Sequence, residues 1–188
     1  ASYTARMLDK WTKNNSRQDI QDKLSTLKSS IRFSGSNGRV SANISTTEEY
    51  LMETLALMTD MLKNPNFDEA ELEKLKTQDL ASIEQNKTEP QFLASKQLGL
   101  LNQKYKKGHV EEINAATVDA IQEYYDEFYG ISDNASLIAI GNIDEQAIKG
   151  YFEKEYADFK SDKPYTPISD AYKLNNAANE KIKTPDKK

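Results

Sequence analysis

Residues 30–45, SIRFSGSNGRVSANIS, place their apolar side chains at every second position, whereas most other apolar residues of the chain recur every third and fourth. Ile31 and Phe33 stand on one side of GSNG, and Val40, Ala42 and Ile44 on the other, with polar residues between them. A period of two puts alternate side chains on one face of a strand. Gly, Ser and Asn between two such runs supply turn chemistry, so the stretch predicts a β-hairpin. A lone hairpin is marginally stable in water. It has to be covered, and the neighbouring sequence offers helices.

The chain opens with SYTARMLDKWT, an amphipathic helix with Met7, Leu8 and Trp11 on one side. In SRQDIQDKL, Ser16 can cap and Asp19 sits where the positive end of the helix dipole favours an acid. After the hairpin, Thr46 with Glu49 three residues on has the form of a capping box. Leu51, Leu55, Met58 and Leu62 then make a core-facing stripe. NPNF stops that helix, and the next starts at Asp68 and Glu71, with Leu72, Leu75, Leu80 and Ile83 on one face. A third follows around Phe92 to Tyr105, and a fourth carries Val118, Ile121, Tyr125 and Phe128. Leu137 to Ile140 is a short apolar run bounded by turn residues, which predicts one buried strand, and Asp144 caps a last helix. The tail from residue 161, with three prolines and little periodicity, reads as a linker or extended segment.

This order predicts an α+β fold: an antiparallel-rich sheet with helices packed on one face. Residues 1–160 form the domain, and 161–188 the linker and the start of a next one. Three strands are few for so many helices. The expectation is therefore that the first strands are missing, the sheet being completed upstream of Ala1 or by another domain.

The 188 residues contain no cysteine, so disulfides and thiolate metal sites are excluded. Thirty acidic against twenty-five basic residues, interspersed along the helices, give net −5 and argue against a nucleic-acid partner. No apolar run approaches the roughly 20 residues of a membrane span, and no signal peptide is visible. His109 is the only histidine and finds no second His or Cys to build a zinc site. No serine lies in a G-x-S-x-G elbow. SGSNG lacks the Lys-Ser/Thr and following helix of a phosphate loop. The pairs Glu48–Glu49 and Glu111–Glu112 stand at helix starts, where capping explains them. The residues thus assemble no catalytic constellation.

Taken in order, WTKNNSRQDI, RFSGSNG, LALMTDMLKNPNF, TVDAIQEYYDEFYG and NASLIAIGNID resemble the insulinase/pitrilysin-type zinc metallopeptidases, the inverzincins, and the tail IKTPDKK is similar to the opening of a following domain in that family. In such enzymes H-x-x-E-H presents two zinc-binding imidazoles and a Glu that polarises the attacking water. The resemblance sets the first His on Ser2, the Glu on Ala5, the second His on Arg6, and the third ligand on or beside Ser82. Neither Ser nor Arg substitutes for these ligands, and Ala5 cannot act as a base. The resemblance therefore implies a degenerate domain, itself inactive, with no metal ligand or catalytic residue of its own. It implies zinc in a catalytic domain elsewhere in the polypeptide or in a partner subunit, and a role in enclosing peptide substrate. The expected partners are catalytic and other peptidase-type domains, and the expected setting is the periplasm or cell envelope of a bacterium. The hairpin around Phe33, Ser34, Asn37 and Arg39 either receives an extended peptide at its edge or simply turns in solvent. A structural scaffold of the same superfamily, and an unrelated envelope protein-binding module, stay open as alternatives.

Overall fold

The computed structural model describes residues 2–36, 39–101, 109–132 and 135–161, with single positions 163, 179 and 181. The hairpin forms as its periodicity requires: β1 (Ser30–Ser36) and β2 (Arg39–Ser45) pair antiparallel, with Phe33 opposite Ala42 and Ile31 opposite Ile44. Directly opposed residues share a face. Ile31 and Phe33 are buried on that face, while Val40 and Ala42 stay exposed. The apolar face is thus covered over β1 and open over β2.

The helices are α1 (Ser2–Met7), α2 (Arg17–Thr26), α3 (Leu51–Lys63), α4 (Glu69–Asn86), α5 (Pro90–Leu101), α6 (His109–Ala115), α7 (Val118–Phe128) and α8 (Glu145–Glu155). Ser16 and Asp19 form a reciprocal capping box on α2. Asp68 accepts from the Glu71 amide, Thr117 from Ala120 and Asp144 from Ala147, so α4, α7 and α8 each start on a side-chain cap.

Three expectations are corrected. The opening helix stops at Met7 rather than reaching Thr12, because Thr12 leaves to bridge Pro65, with Lys13 N–H donating to Asn64 O and Asn66 N–H to Trp11 O. Thr46 caps nothing: its hydroxyl lies 2.7 Å from Ser29 Oγ and 3.2 Å from Thr54 Oγ1. A short 3₁₀ turn over Glu48–Tyr50, without a side-chain cap, leads into α3 instead. Leu137 to Ile140 is not a buried strand. Its backbone is outside any sheet, and Ile138 and Ile140 are 81% and 94% exposed. A strand exists by virtue of a neighbour that takes up its N–H and C=O groups, and among the described residues the sheet is β1–β2 alone.

The chain divides into two compact units. The first joins residues 1–72 to 117–168. Its core holds Met7, Leu8, Ile20, Phe33, Leu55, Met58, Met61, Ile121 and Tyr156, all at most 6% exposed. Side-chain ties close it over long sequence distances. The Thr59 hydroxyl meets Tyr151 Oη at 2.8 Å and Tyr156 Oη at 2.9 Å. Tyr125 Oη donates to Leu62 O at 2.8 Å, and Lys63 Nζ to Glu155 O at 2.7 Å. Arg17 pairs with the nearly buried Glu71 at 2.8 Å. The second unit takes residues 73–116 and 169–188. In it Leu75 and Ile113 are buried, and Lys76 Nζ donates to Ala116 O.

Candidate functional site

Two places bear on function: the helix on which the resemblance sets the metal motif, and a cleft beside the hairpin.

On α1, Ser2 and Arg6 are four residues apart and so share a side of the helix. Ser2 is exposed, and the Arg6 guanidinium lies 5.4 Å from the centre of the Tyr3 ring, a cation–π distance. Ala5 has no exposed surface, and Thr4 and Met7 are buried with it. Zinc takes imidazole, thiolate or carboxylate ligands. A neutral hydroxyl, a methyl group and a permanently charged guanidinium provide none of these. The residues present do not fit a zinc ion. Ser82 lies on α4, in the other unit, where its exposed Oγ accepts from Asn86 at 3.3 Å. Among the described residues no group of three or more His, Asp or Glu is arranged to hold a metal.

Along the hairpin, Phe33 is 6% exposed, so its ring belongs to the core. Ser34 is exposed and its hydroxyl meets Ser41 Oγ across the pair at 2.8 Å. Arg39 is exposed at the start of β2, and Asn37 lies outside the described residues.

The cleft, of about 2070 Å³, lies within the first unit. Val40, Ala42 and Ile44 of β2 line it, and so do Leu137, Ile138 and Ile140. Leu55, Met58, Phe152 and Tyr156 contribute apolar surface. Asn142 Nδ2 donates to Glu48 Oε2 at 2.7 Å and fastens the 135–143 segment to the residues leading into α3. At the other end Gly130 crosses the backbone of Lys160 and Ser161, and Ile131 forms a parallel bridge with Lys160. Tyr129 also lines the cleft. Its hydroxyl is buried without a hydrogen-bond partner among the described residues, and burial pushes its pKa up. Sequence reading missed the cleft. Its signal was a fully apolar four-residue run in a chain short of strands.

Residues 115–188 match the family described as the peptidase M16 inactive domain. The resemblance to a degenerate M16 domain holds. No curated protein sequence matches the chain. Among solved structures, the chain is similar to a peptidase M16 inactive domain from Pseudomonas fluorescens, with TM-score 0.75 and 18% identity over 89% of this chain and 42% of that one. A protease from Helicobacter pylori gives TM-score 0.65 at 15% identity, over 90% and 42%. A mutant of the ferredoxin protease FusC, in complex with Arabidopsis ferredoxin, gives 0.69 at 9% identity, over 93% and 20%. The chain thus spans under half the length of these relatives. At such identities the likeness carries the fold alone, α+β, with one short antiparallel hairpin as the sheet among the described residues.

Proposed function

We propose that this chain is a non-catalytic M16-type domain of a zinc metallopeptidase, and that it helps to enclose and bind peptide substrate while the zinc sits in a catalytic domain of the same polypeptide or of a partner subunit. The observation that carries the reading is the match of residues 115–188 to the M16 inactive domain. The donor-free set Ser2, Ala5 and Arg6 supports it, since a domain with these residues contributes shape rather than chemistry. A role toward a protein substrate is supported by the FusC structure, which holds a ferredoxin. Within this reading the β1–β2 hairpin presents Ser34 and Arg39, with the Phe33 backbone, to an extended peptide, and the assembly works in a bacterial cell envelope.

The test is to isolate the chain and the polypeptide or complex that contains it, and to measure zinc by elemental analysis alongside peptide hydrolysis. The larger assembly is expected to carry zinc and to cleave peptides in a chelator-sensitive way, and the isolated chain to do neither. Stoichiometric zinc with cleavage by the isolated chain would overturn the reading. An assembly without zinc or cleavage would favour a scaffold of the same superfamily.

A further inference from the structure

The pattern N-x-S/T occurs four times in the chain, at Asn14, Asn43, Asn86 and Asn134. It is the acceptor pattern for N-linked sugars: the asparagine amide takes the sugar, and the hydroxyl two residues on helps a transferase to hold it. The fold separates the four. Asn14 Nδ2 donates to Asp60 Oδ1, the intervening Asn15 is 9% exposed, and the Ser16 hydroxyl donates to Asp19 at 2.6 Å. That stretch is tied into its surroundings. Asn43, Ile44 and Ser45 lie within β2, opposite Arg32, Ile31 and Ser30. A transferase has to bend its acceptor into its own site, and a paired strand resists this. Asn134 lies outside the described residues.

Asn86 stands where bending is easy. It is the last residue of α4, and Pro90 opens α5. A proline ring disfavours the helical region for the residue before it, so α4 cannot run on into α5. The Lys87 and Glu89 amides donate instead to Glu84 O and Asn86 O, and the chain turns. Lys87 and Thr88 are exposed on this turn, and Asn86 is partly exposed. Helix ends open locally at little cost, and no core residue has to move. A side-chain amide carries two N–H groups. Asn86 donates one to Ser82 Oγ at 3.3 Å, which leaves the other to be replaced. Two residues before Asn86 stands Glu84, where the other three patterns carry Thr12, Ser41 and Ser132. The Glu84 side chain is 71% exposed and pairs with Lys87, a surface pair that water screens. Its carboxylate can exchange Lys87 for a cation on an enzyme.

We propose that Asn86 is a site of N-linked glycosylation, and that its transferase reads Glu84 together with Thr88 and draws on an oligosaccharide carried by a lipid pyrophosphate. In the step, Asn86 Nδ2 bonds to the anomeric carbon of the sugar, and the bond from that carbon to the pyrophosphate oxygen breaks. One Nδ2 proton passes to a base of the transferase, and the lipid pyrophosphate leaves. Nothing is oxidised or reduced. A lipid-borne donor confines the reaction to a membrane surface, so the inference rests on the envelope setting proposed above and adds a covalent mark to it. A bulky, solubilising group on the α4–α5 turn also keeps that turn in solvent, away from any surface buried against another domain.

The test is mass spectrometry of the polypeptide that contains this chain, taken separately from the envelope and the cytoplasmic fractions of its own cells. The tryptic peptide Thr77–Lys87 from the envelope fraction is expected to carry a glycan on Asn86. Asn86→Gln and Thr88→Ala should each abolish it, and Thr88→Ser should keep it. Glu84→Gln should lower the extent of modification about tenfold, the worth of one hydrogen-bonded charge. An unmodified peptide in the envelope fraction would overturn the inference and leave the setting standing. Unmodified polypeptide found in the cytoplasm alone would overturn both. A sugar on Asn14, Asn43 or Asn134 with Asn86 bare would also overturn it, and so would one that survives Thr88→Ala, since attachment would then not depend on the pattern.

Discussion

Thr12 Oγ1 donates a 2.7 Å hydrogen bond to Asp60 Oδ2, joining residues 48 apart. Asn15 and Asn64 also donate to this carboxylate, at 2.8 and 3.0 Å, and Asn14 does so from the surface. Thr12 and Asn15 are 2% and 9% exposed, so the carboxylate answers donors that water cannot reach. Asp60→Ala is expected to cost about 2 kcal/mol, chiefly by stranding those donors. Burial alone would raise the Asp60 pKa, but the four hydrogen bonds outweigh it and hold the group below its usual value. A depressed carboxylate adds stability above its unfolded pKa of about 3.9 and loses it as pH falls through the folded value. Urea titrations of wild type and Asp60→Ala from pH 7 to pH 2.5 should therefore converge below about pH 4. Parallel curves would show that Asp60 is not linked to folding.

Tyr125 makes the opposite prediction at high pH. Burial, with a smaller push from the Asp126 charge, raises its pKa to about 12, and its hydroxyl donates to Leu62 O. A raised phenol favours folding fully below the unfolded pKa of about 10, and that contribution is lost as pH climbs toward 12. Tyr125→Phe should cost about 1 kcal/mol at pH 7, yet lose stability less steeply between pH 10 and 12. Denaturation midpoints across that range provide the measurement.

Gly130 sits where two backbones touch. A Cβ there would stand 2.3 Å from Ser161 N and 2.5 Å from Lys160 C, and neither is a flexible side-chain end. Gly130→Ala is expected to destabilise by about 1–3 kcal/mol through overpacking. It should also loosen the Ile131 N–H bond to Phe159 O, visible as faster exchange of the Ile131 amide. An unchanged melting temperature would contradict the close crossing.

Rebuilding the metal motif should fail. In the variant Ser2→His, Ala5→Glu, Arg6→His, the new carboxylate enters a position with no exposed surface. An uncompensated buried charge costs about 3–5 kcal/mol. The variant is expected to lose stability and bind no stoichiometric zinc, as read by thermal melts and elemental analysis. Tight zinc uptake with stability retained would mean that the α1 face can open.

What was legible in the sequence was local. The hairpin follows from a period of two on either side of GSNG, and the α2 cap from Ser16 at the N-cap and Asp19 three residues on, in the first turn. Both depend on residues within a few positions of each other. Thr46 misled because hydroxyls from Ser29 and Thr54, distant in sequence, compete for it. Leu137–Ile140 misled for a related reason. Composition announces a strand, but a strand is a relation to a neighbour, and the described residues supply none. At the candidate metal site, sequence comparison named Ser2, Ala5 and Arg6, but only the packing of α1 shows Ala5 sealed inside.

The Thr59–Tyr156 hydrogen bond has a consequence for how such a chain is made. The two residues are 97 positions apart, and the whole 73–116 stretch of the second unit lies between the segments that carry them. At roughly 5–20 residues per second, a ribosome needs about 5–20 s to deliver Tyr156 after Thr59. Throughout that interval α3 has been synthesised, but Tyr125 and Tyr156, which bond to Leu62 and Thr59, have not both arrived. The first unit therefore closes late in synthesis, after residues 73–116 have emerged and had time to fold.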